Sequence, residues 1–159
     1  MPKIDITRAT LRTACAYPEP YAAHCAGRAN IALGDLGGLD QFGVNLTRLA
    51  PGAASAHKHW HQNEDEMIYV LEGEATLVED DGETVLRAGD VATFKAGVAN
   101  GHMLINRSDA DAVFLEIGTR ADSDVSSYTD PDVDLRMVKE GGTGQGGGWT
   151  AYRKNGERY

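Results

Sequence analysis

From residue 43 onward the hydrophobic pattern has the period of a β-strand and is cut by turn chemistry at short intervals. Residues 44–49 (Val-Asn-Leu-Thr-Arg-Leu) alternate by two and stop at Pro51-Gly52. Residues 67–71 (Met-Ile-Tyr-Val-Leu) form a dense apolar run that ends at Glu72-Gly73. Residues 75–78 and 84–86 flank an Asp81-Gly82 pair, a strong short-range hairpin signal because glycine takes the backbone angles of a tight turn at no steric cost. Three further strands are predicted over 91–94, 102–105 and 112–117, with the polar turn 107–111 between the last two. Short strands closed by turns in this way build an all-β sandwich or barrel. No strand–helix–strand rhythm is present, which excludes a doubly wound α/β sheet.

The flanks are different. Residues 1–42 are mixed, with an extended Tyr17-Pro18-Glu19-Pro20-Tyr21 segment and a short strand followed by a turn over 31–35. Residues 121–134 are rich in Asp and Ser and are expected to be a long loop. Residues 141–148 contain six glycines in eight positions; no Lys-Ser/Thr pair follows, so a linker is expected there and not a phosphate-cradling loop. Residues 149–153 offer a last strand that docks on the barrel. The expected organisation is therefore an N-terminal extension over 1–42, a barrel core over 43–118 and a loop-rich C-terminal extension over 119–159.

A chain of 159 residues suits one domain and buries enough surface to fold without a disulfide or structural metal. A metal bound here would thus serve function. The formal charge of −9 disfavours phosphate backbones and anionic headgroups, so neither nucleic acid nor membrane is expected as a partner. The first residues carry no apolar targeting stretch, and Cys15 and Cys25 form no CxxC pair. The expectation is a cytoplasmic protein with two free thiols.

Three of the five histidines, His57, His59 and His61, alternate with Lys58 and Trp60. On a strand, residues two apart share a face at roughly 6.6–6.8 Å. Two imidazoles so placed can converge on one metal at about 2.0–2.1 Å per bond. A carboxylate follows after a short polar turn, and a hairpin would bring it across from the histidines. Two registers share the same spacing: His57, His59 and Glu64, or His59, His61 and Glu66. The second is preferred, because Glu66 heads the apolar strand whereas Glu64 sits inside the polar turn. Tyr69 and Trp60 are out of phase with these ligands and are expected to face away. His24 has no matching partner nearby. His57 is left either as a surface residue or as a proton carrier at the mouth of the site. Glu64, Glu72 and Glu116 are all open as acceptors for the second nitrogen of a ligand histidine.

Two motifs in order, Gly52…His59-x-His61-x4-Glu66-x6-Gly73 and Gly89-x5-Lys95-x-Gly97…His102-x3-Asn106, resemble those of the cupin superfamily. The wording around them is similar to small single-barrel bacterial cupins. The resemblance implies a double-stranded β-helix, or jelly roll, holding one divalent ion (Fe, Mn, Zn or Ni) on His59, His61, Glu66 and His102. The second motif departs from the pattern: Lys95 stands at a usual proline, and Asn100 occupies the usual histidine position. A two-residue loop insertion restores the register and keeps His102 as the fourth ligand. Without His102, the set reduces to two histidines and one carboxylate, which still suits Fe(II).

The resemblance does not fix the chemistry, because function resides in the site and not in the fold. Three readings stay open. The first is a metal-dependent enzyme acting on a small oxygenated organic molecule, with dioxygenase or isomerase/lyase chemistry. The second is a non-catalytic module that binds or senses a small ligand. The third is a metal-free structural barrel. By analogy with other small cupins, a homodimer is expected.

Overall fold

The structure, a computed structural model, describes residues 3–141 and 148–159. Twelve strands form among them: β1 (Arg28–Ala32), β2 (Phe42–Leu49), β3 (His59–His61), β4 (Glu66–Glu72), β5 (Glu74–Glu79), β6 (Glu83–Arg87), β7 (Val91–Phe94), β8 (His102–Ile105), β9 (Ala112–Thr119), β10 (Asp124–Tyr128), β11 (Arg136–Glu140) and β12 (Gly148–Tyr152). One sheet has the order β1-β2-β9-β4-β7 and the other the order β12-β11-β10-β3-β8-β5-β6. All pairings within them are antiparallel. No helix among the described residues is long and apolar enough to cross a membrane.

The two sheets pack through their inner faces. Leu49, Val70 and Phe114 from the first sheet share one buried cluster with Leu77, Leu86 and Leu104 from the second. These are the inward positions of alternating strands, so the two-residue period of the sequence becomes the wall of the barrel. Every strand read from residues 43–117 is present, including the hairpin of β5 and β6 at Asp81-Gly82. Gly73 makes the crossing from β4 to β5, which lie in different sheets. Its φ of 71° and the 2.3 Å that would separate a Cβ from the Asp111 carbonyl oxygen leave room only for glycine.

Two expectations are corrected. The segment expected as a loop over 121–134 contains β10, whose inward residues Asp124, Ser126 and Tyr128 are buried. Its polar composition hid the strand, because the face it presents is a polar one. β10, β11 and β12 complete the second sheet, the last of them where a docking strand was expected. Cys15 and Cys25 are not free thiols: they form a disulfide with Cα atoms 6.0 Å apart. It closes a short loop that carries Tyr17 and Tyr21. The linker expected over 141–148 lies mostly outside the described residues.

Candidate metal centre

β3 carries His59 and His61 on the inner face of the second sheet, and the pairing of His59 with His102 brings β8 beside them. Glu66 opens β4 in the opposite sheet. It therefore meets the histidines across the barrel interior and not as a hairpin partner, because residues 62–65 carry the chain from one sheet to the other. One donor atom each from His59, His61 and Glu66 lie within 4.8 Å of one another. His102 joins through the carboxylate: its Nε2 is 3.0 Å from Glu66 Oε2, which is also 3.6 Å from His61 Nε2.

The outer nitrogens are already engaged. His59 Nδ1 donates to the His57 carbonyl at 2.7 Å, and His61 Nδ1 donates to Asp124 Oδ2 at 2.5 Å. Both bonds fix the tautomer and leave Nε2 as the free donor toward the interior, the arrangement that metal-ligating histidines use. Asp124 is fully buried and also accepts from the Asn63 backbone at 2.8 Å. Phe94 stacks on His102 with ring centroids 3.6 Å apart, and Tyr128 stacks on His59 at 5.4 Å. Two imidazole nitrogens aimed inward beside a carboxylate and a third imidazole suit a divalent transition ion.

Electrostatics follow the packing. Burial, helped by the nearby His61, lowers the His59 pKa to about 4. Burial works to raise the Glu66 pKa, but the His102 hydrogen bond and the charges of His61 and His59 outweigh it, bringing the value down to about 2. For His61 burial is likewise outweighed, here by Asp124 and Glu66, and the pKa is raised.

His59, Glu66 and His102 line a cavity of about 580 Å³ together with Phe94, Arg28 and Glu116, while His61 lines a smaller one beside it. Glu116 accepts a hydrogen bond from the buried Thr47 at 2.8 Å, and burial raises its pKa.

A Cupin domain model matches residues 45–118. Over 99% of this chain and 96% of its own, a sugar phosphate isomerase of the cupin superfamily from Silicibacter pomeroyi is 41% identical and superposes with a TM-score of 0.90. The chain belongs to the cupin superfamily. A protein from Acidithiobacillus ferrooxidans, proposed to be a sugar phosphate isomerase, is 32% identical over 83% of this chain and 80% of its own, with a TM-score of 0.70. The polyketide cyclase of Streptomyces resistomycificus, 22% identical over 75% of this chain and 79% of its own, shares the fold at a TM-score of 0.59. No curated protein sequence matches the chain.

Within this cupin the register of His59, His61 and Glu66 is the one whose donors meet. Of the alternative register, His57 lies away from these donors, whereas Glu64 stays beside them, with one donor atom within 4.8 Å of those of His61 and Asp124. His57 is buried away from the cavity; its Nε2 contacts the Tyr21 carbonyl at 3.1 Å and its ring stacks on His24 at 4.0 Å. It is not a surface residue and does not line the cavity, and His24 does have a partner. Glu64 forms an ion pair with Lys139 at 2.8 Å. Tyr69 is exposed as expected, but Trp60 lines a smaller cavity of about 210 Å³ on another side of the cluster. Asn100 contributes a brace, accepting from the Asp80 backbone at 3.1 Å. Asp124, the carboxylate that holds His61, was absent from the candidates Glu64, Glu72 and Glu116; its only signal was a carboxylate inside an Asp/Ser-rich stretch.

Proposed function

We propose that this cupin holds one divalent metal ion on His59, His61, Glu66 and His102 and interconverts aldose and ketose forms of a small sugar phosphate. The observation that carries the reading is the convergence of three donor atoms within 4.8 Å beside the cavity, with two of the histidines braced from behind. The full-length likeness to a protein named as a sugar phosphate isomerase supplies the substrate class.

The bound ion would polarise a carbonyl or hydroxyl oxygen of the substrate. The remaining work falls to the chain. An aldose–ketose shift moves one proton off the carbon beside the carbonyl and returns one to the former carbonyl carbon, with no oxidant. Glu116 lines the cavity, and burial raises its pKa, the direction that suits a carboxyl group for accepting and returning that proton. Thr47 holds one of its oxygens in place. Phe94 forms an apolar wall against His102.

The test is to load the protein with Mn, Zn, Fe or Ni in turn and follow aldose and ketose phosphates by NMR. Conversion by the wild type and none by His61→Ala is the expected result. Binding without conversion would favour a ligand-binding module. The reading also takes the protein to be a cytoplasmic homodimer; light scattering checks the oligomeric state.

A further inference from the structure

The cavity wall contains four cationic side chains, and three of them are matched. Arg12 and Arg120 both bind the Asp35 carboxylate, and Lys139 binds Glu64. Arg28 differs. Its Nε is buried with no hydrogen-bond partner among the described residues, and its nearest carboxylate oxygen, on Glu116, is 4.0 Å from the terminal nitrogen. A guanidinium serving only as counter-ion to Glu116 would close to hydrogen-bond distance, because an unmet buried donor is costly. Arg28 instead lines the cavity with a quarter of its side chain exposed, Nε lying beneath that surface.

We propose that Arg28 is the seat for a phosphate monoester group of the small molecule that enters this cavity. A guanidinium presents parallel N–H donors that match two oxygens of a phosphate, which a carboxylate at 4.0 Å does not satisfy. Arg28 stands on β1 at one edge of the first sheet, while Glu66 stands on β4, separated from it by β2 and β9. A ligand anchored at Arg28 thus extends past Glu116, on β9, toward the histidine cluster. Which sugar carries the phosphate rests on the isomerase reading; the anion site does not.

The experiment measures binding of inorganic phosphate, and of acetate as a planar-anion control, by calorimetry on metal-loaded wild type, Arg28→Met and Arg28→Lys. Metal content and melting temperature are read on each. The expected result is phosphate binding by the wild type, weakened roughly tenfold or more in Arg28→Met with metal content unchanged, and less in Arg28→Lys. In turnover, Arg28→Met should raise KM for the phosphorylated sugar by a similar factor while kcat moves less. Should Arg28→Met fail to fold, Arg28→Lys carries the test, since a point charge cannot reproduce the paired donors. Equal phosphate affinity in wild type and folded variants overturns the site, as does acetate binding as tightly as phosphate. Arg28-dependent phosphate binding without conversion of any sugar phosphate would sustain the site and sink the isomerase reading.

Discussion

Along β9 the inward positions are Ala112, Phe114, Glu116 and Gly118, and along β4 they are Glu66, Ile68 and Val70. Val70 pairs with Phe114 at one end, where Leu49, Leu77 and Leu104 close a dry cluster. Glu66 pairs with Gly118 at the other, facing His59, His61 and His102. β8 makes the same change in one step, from His102 to Leu104. The strands and the side-chain period are shared, so the contrast comes from residue type alone. The apolar end fixes register and supplies stability; the polar end carries buried imidazoles and carboxylates that would be unfavourable without their hydrogen bonds. The apolar half thereby holds the register of the strands that carry the polar half.

The sharpest way to break this division is to damage the apolar end. Phe114→Ala should cost about 3–5 kcal/mol in chemical denaturation, while the protein that remains folded keeps its full metal content. Loss of metal without loss of stability would show that the two ends are not separable. At the polar end, Asp124→Asn should lower metal affinity about 10–100-fold in a chelator competition, because His61 loses the acceptor that orients it. At the boundary, Thr47→Val removes the bond to Glu116 and should cost about 1 kcal/mol. The smallest effect belongs to the rim. Asp35 is partly buried, which opposes ionisation, but its bonds to Arg120 and Arg12 outweigh this and lower its pKa. The stability it contributes is present above the unfolded carboxylate pKa of about 3.9 and is lost as pH falls through the lowered folded value. Asp35→Asn should cost about 1 kcal/mol or less near neutrality and flatten that part of the acid-unfolding curve.

The comparison also explains what could be read from the sequence. The apolar end was legible because Met67 to Leu71 and Ala112 to Ile117 are short runs rich in apolar, β-branched and aromatic residues, bounded by turn chemistry. His59, His61 and Glu66 were legible because all three lie within eight residues, so local spacing encodes their geometry. Asp124 lies 63 residues from the histidine it holds, on a strand whose inward face is Asp, Ser and Tyr, and no local pattern separates such a strand from a polar loop. The same holds for Arg28, which enters the cavity from a mixed N-terminal segment, and for Cys15 and Cys25, whose spacing gave no hint of a bond. Contacts between distant segments depend on sheet order, which spacing does not encode.

A metal centre at the polar end would rest on His59, His61, Glu66 and His102. Plasma mass spectrometry of the purified protein, reconstituted with divalent ions and compared with His61→Ala and Glu66→Gln, tests it most directly. Close to one divalent ion per chain is expected in the wild type and loss of it in both variants, with melting temperatures showing that they fold. A wild type that retains no ion after reconstitution, or variants that retain as much as the wild type, would contradict it.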